Sequence, residues 1–303
     1  MSAATMPTLL DMVKQRGNDA VVGLIEEVIT SVPEFGLLPS RGIPGVTYRT
    51  LARVGLPTVG FRNANEGSVE SKSAYEQRDV ATFIMNPSWK CDKAVADIHP
   101  DGPEAFIAME GSGMTTAAAM TICSQMYYGG DAKGFQGLSN FVDSSLVIDA
   151  TGSTPNGGSS VWAIKFGIQD VSLVFGANGN LDLSDVRIGD AYDANERRYT
   201  AYLQELLSWV GLSVLSKWSV GRIKNLTIQS GKGLTDNLLS QLLECFPTGH
   251  EPDAFVMTRR SRGQLQRSRT ATNATGAEAP RPTEYEGIPI ITSESLVNTE
   301  AIV

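Results

Sequence analysis

The residues able to carry acid–base, nucleophilic or metal chemistry are few and scattered. The 303-residue chain has two histidines, His99 and His250, and three cysteines, Cys91, Cys123 and Cys245. A Ser-His-Asp triad, a Cys-His pair or a two-histidine metal site would need one of these histidines in the right place. His99 precedes Pro100 and His250 lies between Gly249 and Glu251, both of which read as exposed loop positions. Neither a Gly-x-Ser-x-Gly elbow nor a His-Glu-x-x-His helix occurs. The cysteines are odd in number, widely spaced and without a Cys-x-x-Cys pair, which speaks for buried thiols in a reducing compartment. Glycines at 154–160 invite a phosphate-loop reading, but no Gly-x-x-x-x-Gly-Lys-Ser/Thr exists, and Gly231-Lys232-Gly233 lacks both the earlier glycine and the following hydroxyl. The adjacent carboxylates Glu26 and Glu27 fall on different helical faces and read as solvated. No enzyme, cofactor or metal chemistry is therefore expected.

One basic cluster remains: Arg259, Arg260, Arg262, Arg267 and Arg269. A phosphate-binding face is one reading, since each arginine that neutralises a phosphate releases counterions. A helix salt-bridged to acidic neighbours is the preferred one, because no aromatic residue is interleaved for base stacking. The net charge of -8 also argues against nonspecific attachment of the whole chain to nucleic acid or an acidic membrane. With 42% hydrophobic and 19% charged residues this is a folded chain, near the length at which one core divides into two. Its start, MSAATMPTLLDMVKQ, lacks a basic segment followed by an apolar one, and no apolar run is long enough for a membrane span. The expectation is a chain made and kept in the cytoplasm until it assembles.

The elements that would hold these residues follow from periodicity and punctuation. Residues 7–32 carry helical signals broken at Gly17-Asn18, with Val21, Leu24, Ile25, Val28 and Ile29 on one face and Pro33 as a stop. Prolines and glycines spread through 34–59 predict extended chain lying over other surfaces. The stretch GFRNANEGSVESKSAYEQRDVATFIM predicts a long hairpin loop, entered through Val59 and Phe61 and left through Val80, Thr82, Phe83 and Ile84. Its charged residues Arg62, Glu66, Glu70, Lys72, Glu76, Arg78 and Asp79 suit either solvated surface or ion pairs to a neighbouring subunit. Residues 87–99 connect this excursion to one long helix at 101–130. Asp101 offers a cap, Pro103 fits the first turn, Glu104 follows the cap by three, and Gly129-Gly130 ends the run. Such a helix is roughly 40 Å long, and its middle is built of small residues from Gly111 to Ala119.

Beyond it, VWAIKFG and VSLVFG predict a hairpin, and VRIGDAYDANERRYTAY a second strand pair about Asp193-Ala194-Asn195. The stretch 199–228 is ambiguous: Leu203, Leu206, Leu207 and Val210 fit a helical face, while Leu212, Val214, Trp218, Val220 and Ile223 fit strands. A helix at 235–246 presents Leu238, Leu239, Leu242, Leu243 and Phe246. A strand at 254–257, a polar helix capped by Thr258, a loop over 271–286 and the strand-like GIPIITSESL complete the chain.

The succession FQGLSN, SSVWAIKFG, VSLVFG, YDANERRYTAY and WVGLSVLSKWSVGRIKNL resembles the middle of major capsid proteins of tailed bacteriophages, the group with the Hong Kong 97-type shell fold. The resemblance implies an α+β fold with an N-terminal arm (1–50), an E-loop hairpin (51–90), a peripheral P-domain (91–227) whose spine helix is 101–130, and an axial A-domain (228–303). It favours strand at 218–226 and places Gly287 to Ile290 on an A-domain strand. In the type member the A-domain precedes the last P-domain strand, whereas here the strand block comes first, which implies a rearranged strand order. The implied function is self-assembly into hexamers and pentamers of an icosahedral shell around double-stranded DNA, without a cofactor and without sequence-specific DNA binding. Further implied partners are portal, scaffold and decoration or cement proteins, and the implied location is the virion. Lys72 sits in the loop that carries the crosslinking lysine of the type member. No motif marks a partner asparagine or an acidic catalyst, so an uncrosslinked shell is expected. The alternatives are a cellular nanocompartment shell of the same fold and a nucleic-acid-binding protein that uses the arginine cluster.

Overall fold

A 17-residue strand organises the larger sheet. The stretch RYTAYLQELLSWVGLSV buries Gln204, Leu206, Ser208, Val210 and Leu212 on one face, while Leu207 between them is 42% exposed. That period of two settles the ambiguity of 199–214 as strand, because a helix would have put Leu206 and Leu207 on one side. At about 3.3 Å per residue the strand is roughly 55 Å long.

The computed structural model describes residues 32–179, 181–193, 195–271 and 277–302, so the helical signals expected in 7–31 lie outside them. A 3₁₀ turn at Pro33–Gly36 leads into β1 (Ser40–Gly42), β2 (Thr47–Gly55), β3 (Ala74–Ala81), β4 (Phe83–Met85) and β5 (Ser88–Asp92). Then come α1 (Lys93–Ala96) and the long helix α2 (Pro103–Tyr128). The strands β6 (Val147–Asp149), β7 (Ser159–Ile164), β8 (Val171–Phe175), β9 (Leu181–Leu183), β10 (Arg187–Tyr192), β11 (Arg198–Val214) and β12 (Val220–Leu226) follow. The chain continues through α3 (Asp236–Glu244), β13 (Ala254–Met257), α4 (Arg259–Ala271), β14 (Glu284–Tyr285) and β15 (Ile288–Thr292).

β11 pairs antiparallel with five strands in turn: β10 and β5 along its first part, β9 and β4 near its middle, and β8 at its end. β1 adds to the outer edge of β8 in parallel. A second sheet has the order β14-β15-β13-β7-β12-β6, and β2 and β3 form a separate two-stranded ribbon. The expected turn around Asp193 is present, its carboxylate accepting from the Asn195 and Arg197 amides at 2.8 Å each.

Two local expectations fail. VWAIKFG and VSLVFG do not form a hairpin, since β7 lies between β12 and β13 while β8 lies between β1 and β11. Every residue of both strands is buried, so each takes a neighbour on both edges and none is left for the other. The segment 87–99 is more than a connector: β5 pairs with β11 from Ser88 to Asp92, and Asp92 then caps α1 through the Ala94 amide at 2.9 Å.

α2 starts at Pro103 with Gly102, not Asp101, at its N-cap, and ends at Gly129, whose left-handed φ of 60° turns the chain out. Its small middle brings β11 close: a Cβ on Gly111 would lie 3.1 Å from Gln204 Oε1, and that oxygen accepts from Trp89 Nε1 at 3.0 Å. Phe106 closes a small cluster with Cys91 and Ala96. Ile122, Met126 and Tyr127 enter the main core beside Trp162, Leu173, Val210 and Leu212. A second core joins Leu239 and Leu242 of α3 and Leu265 of α4 to Val161, Ile223, Phe255 and Met257 of the second sheet. Among the described residues, no helix is long and apolar enough to cross a membrane.

Candidate intersubunit surface

The ribbon β2–β3 is fixed at its base and bare beyond it. At the base, Ile43, Val80 and Val174 form a buried cluster flanked by Tyr48 and Leu215. Tyr48 Oη lies 3.3 Å from Ser213 Oγ, Thr82 Oγ1 donates to the Val46 carbonyl at 2.8 Å, and Arg78 Nη1 donates to the Leu215 carbonyl. Outward from there Leu51, Val54, Leu56, Val59 and Val69 are exposed, Val59 to 88%, and Phe61 is fully exposed. Burying a side chain of this size is worth about 1.5–3 kcal/mol, and apolar groups gathered on one projection mark an interaction surface.

The charged candidates of this loop are partly occupied within the subunit. Arg62 Nη1 donates to the Glu66 carbonyl at 2.7 Å, and Glu66 Oε2 accepts from the Asn63 amide at 3.0 Å. Glu76 and Arg78 pair at 3.3 Å, while Glu70 and Lys72 stand exposed. Arg49 bridges to Asp79 at 2.8 Å across the two strands, and that hydrogen bond holds the Asp79 carboxyl below its usual range. The exposed apolar residues were not among the sequence candidates. Their signal was available, since Val59, Phe61 and Val69 stand in a segment with no core of its own.

The arginine cluster of α4 faces inward more than outward. Arg269 forks onto Asp236 with contacts of 2.7 to 3.1 Å, and Arg259 meets Glu294 at 2.5 Å. Arg260 donates to the Gly157, Leu226 and Asn298 carbonyls, and Arg262 to the Pro282 carbonyl at 2.6 Å. Burial pulls the Arg260 and Arg262 guanidinium groups below their ordinary range. Arg267 is exposed. Thr258 does cap this helix, its hydroxyl accepting from the Ser261 amide at 3.2 Å.

Two buried carboxylates tie distant segments together. Glu34, in the 3₁₀ turn before β1, accepts from Ser293 Oγ just past β15. Glu300 accepts from Tyr128 Oη at 2.8 Å, from Ser160 Oγ at 2.5 Å and from Arg222 Nη2 at 3.1 Å. The histidines are placed apart from any such cluster: His99 Nδ1 accepts from the Asp101 amide at 3.2 Å ahead of α2, and His250 follows the turn after α3. Among the described residues, no group of three or more histidines, cysteines and acids is arranged to hold a metal.

A long helix laid along one sheet, a projecting ribbon and a second sheet with its own core describe a protein of the Hong Kong 97-like capsid fold. A chain of the solved structure of bacteriophage Epsilon15 superposes with a TM-score of 0.76 at 18% identity, covering 100% of this chain and 99% of that one. A chain of the bacteriophage JBD30 capsid superposes with a TM-score of 0.52 at 9% identity, covering 89% and 93%. No curated protein matches in sequence. Residues 41–303 match the family described as Major capsid protein GP7, and the chain belongs to that family. It is accordingly a structural component of a virion capsid and not an enzyme.

Proposed function

We propose that this chain builds the wall of a tailed-bacteriophage head, assembling with copies of itself into hexamers and pentamers of a closed icosahedral shell that encloses double-stranded DNA. The observation that carries this reading is the β2–β3 ribbon, which holds Leu51, Val54, Leu56, Val59 and Phe61 in solvent on a chain of the GP7 capsid family. A lone subunit gains nothing from such a projection, whereas neighbours that cover it gain from every copy at once. The family description also supports a phage head over a cellular nanocompartment.

In this reading residues 1–50 serve as the N-terminal arm, 51–90 as the E-loop, 91–227 as the P-domain with α2 as its spine, and 228–303 as the A-domain. β12 precedes α3, β13 and α4 in sequence, so the wall strand comes before the axial part. Arg62, Glu66, Glu70, Lys72, Glu76 and Arg78 lie at the subunit boundary in this reading, where the exposed Glu70 and Lys72 form ion pairs to a neighbour while the other four keep their partners within the subunit. DNA is enclosed without sequence-specific contacts, because four of the five α4 arginines already have partners in their own subunit. Portal, scaffold and decoration proteins complete the head.

Size-exclusion chromatography and negative-stain microscopy of the full chain, alone and with the neighbouring head proteins of its phage, test this. Closed particles are expected. A monomer under every one of these conditions would overturn it.

A further inference from the structure

We infer that the Glu34 carboxylate holds a monovalent metal cation, sodium or potassium, at a buried polar junction where the 3₁₀ turn Pro33–Gly36 meets α2 and the segment after β15. The junction is marked by unpaired atoms. Glu34 is fully buried, its Oε1 accepts from Ser293 Oγ, and its Oε2 has no hydrogen-bond partner among the described residues. The Ser295 amide donates to the same Ser293 oxygen at 3.0 Å, and the Ser295 hydroxyl is itself buried and unpaired. Tyr127, on the part of α2 that packs with Phe35 of the turn, is fully buried and its hydroxyl has no partner either. Burial, and after it the Glu34 charge, pushes that hydroxyl well above its ordinary range, and the same two causes act on Cys123 one turn earlier.

Charge and donor type identify the ligand. The other buried acid, Glu300, has Arg222 at 3.1 Å, whereas among the described residues no basic side chain pairs with Glu34. A buried carboxylate without a counter-charge is costly, and a basic side chain or a bound metal relieves it. Serine and tyrosine hydroxyls solvate the carboxylate but bring no positive charge. One carboxylate among neutral hydroxyl oxygens carries a single negative charge, which a monovalent ion cancels; calcium sites gather several acidic oxygens, and magnesium keeps a shell of waters in octahedral geometry. The Tyr127 hydroxyl stays neutral and serves as an oxygen donor. The Cys123 thiol, pushed up to about 12, offers no thiolate, so the site does not suit zinc or copper. The ion ties the turn before β1 to α2 and to the segment after β15, and the firmness of that join depends on the salt present. This is a property of one subunit and stands apart from the shell reading.

Thermal melting of the full-length chain tests the site, with potassium chloride or sodium chloride replaced stepwise by tetramethylammonium chloride at constant ionic strength. Tetramethylammonium is too large for a buried site. Wild-type chain is expected to melt about 2–5 °C higher in potassium or sodium, with a dependence that saturates as a binding curve does. The two salts run separately show which ion is preferred. Glu34→Gln keeps the shape of the side chain without its charge and should melt at one temperature in all three salts. Asp190→Asn, far from the junction in sequence and exposed, should keep the wild-type dependence. Should Glu34→Gln not fold, Tyr127→Phe and Ser295→Ala decide, since loss of one donor oxygen should raise the half-saturating cation concentration several-fold. A wild-type chain that melts alike in all three salts overturns the proposal. So does a cation dependence that persists in Glu34→Gln, or that is unchanged in both Tyr127→Phe and Ser295→Ala.

Discussion

Arg222 meets Glu300 at 3.1 Å and lies over the ring of Trp162, whose centre is 5.0 Å from the guanidinium carbon. Ser160 and Tyr128 complete the shell around the carboxylate, so helix α2, strands β7 and β12 and the C-terminal segment converge on one acid.

Removing one member of a mostly buried pair strands the other, which costs far more than the pair itself contributes. Glu300→Ala is expected to destabilise the subunit by about 2–4 kcal/mol, read as a lower urea midpoint for unassembled chain. Asp190→Asn, which breaks the exposed pair to Arg198 at 2.7 Å, is expected to change the midpoint by less than about 0.5 kcal/mol.

Glycines of the same sequence should respond in opposite directions. Gly113 lies in α2 with open space where a Cβ would stand, so Gly113→Ala is expected to stabilise by up to about 1 kcal/mol through helix propensity. A Cβ on Gly211 would lie 2.4 Å from the Ala81 carbonyl oxygen. Backbone cannot swing aside as a side chain can, so Gly211→Ala should cost about 3 kcal/mol or more and displace the ribbon base. Thermal melting of the two variants against wild type gives both signs.

The arginines of α4 should behave as framework and not as a DNA-contacting face. Arg269→Ala frees Asp236 and Arg260→Met strips three carbonyls of their donor, so each is expected to lower the melting temperature by several degrees. Arg267→Ala should leave stability unchanged. In none of the three should the salt dependence of any residual DNA binding change by the unit slope that losing a phosphate contact produces.

Burial pushes the Cys91 thiol up to about 11 and the Cys123 thiol up to about 12, from an ordinary value of 9.0. A raised folded-state pKa means that the folded chain holds its proton longer than the unfolded chain. Stability is therefore full below pH 9 and falls as pH rises toward 12, by at most about 1.4 kcal/mol per pH unit for each thiol. Urea titrations between pH 8 and 10, below the range in which the buried Tyr127 and Tyr128 hydroxyls, also pushed up by burial, add a decline of their own, should show this decline, and the Cys91→Ala, Cys123→Ala double variant should reduce it. Native protein at pH 8 should react with a thiol reagent at Cys245 alone, the only cysteine that is not fully buried.

Much of the wall was legible because its signals are local. Pro103 and Gly129 bound α2 within two residues of the expected span, and Thr258 caps its helix as read. The strand at 218–226 came from the resemblance and is present as Val220–Leu226. What stayed hidden depends on partners far away in sequence. VWAIKFG and VSLVFG look like a hairpin because adjacency and a short turn are all that a sequence displays, while the competing edges belong to β12, β13, β1 and β11. β5 was missed because five residues with one buried cysteine carry no period of their own until β11 supplies the register. For the intersubunit surface, charge drew attention to Arg62 through Arg78, yet the structure spends several of those charges inside the subunit and leaves the apolar tip bare.

The single strand β11 gives the subunit a mechanical axis. Its five partners each attach to a different or overlapping segment along roughly 55 Å of one covalent chain. A pull along that axis loads many ladder hydrogen bonds sideways and together, whereas a pull across it peels one short partner at a time. In a wall stretched by its contents, the orientation of β11 would set the direction in which each subunit is stiff, and the short partners β4 and β9 would mark the places that yield first.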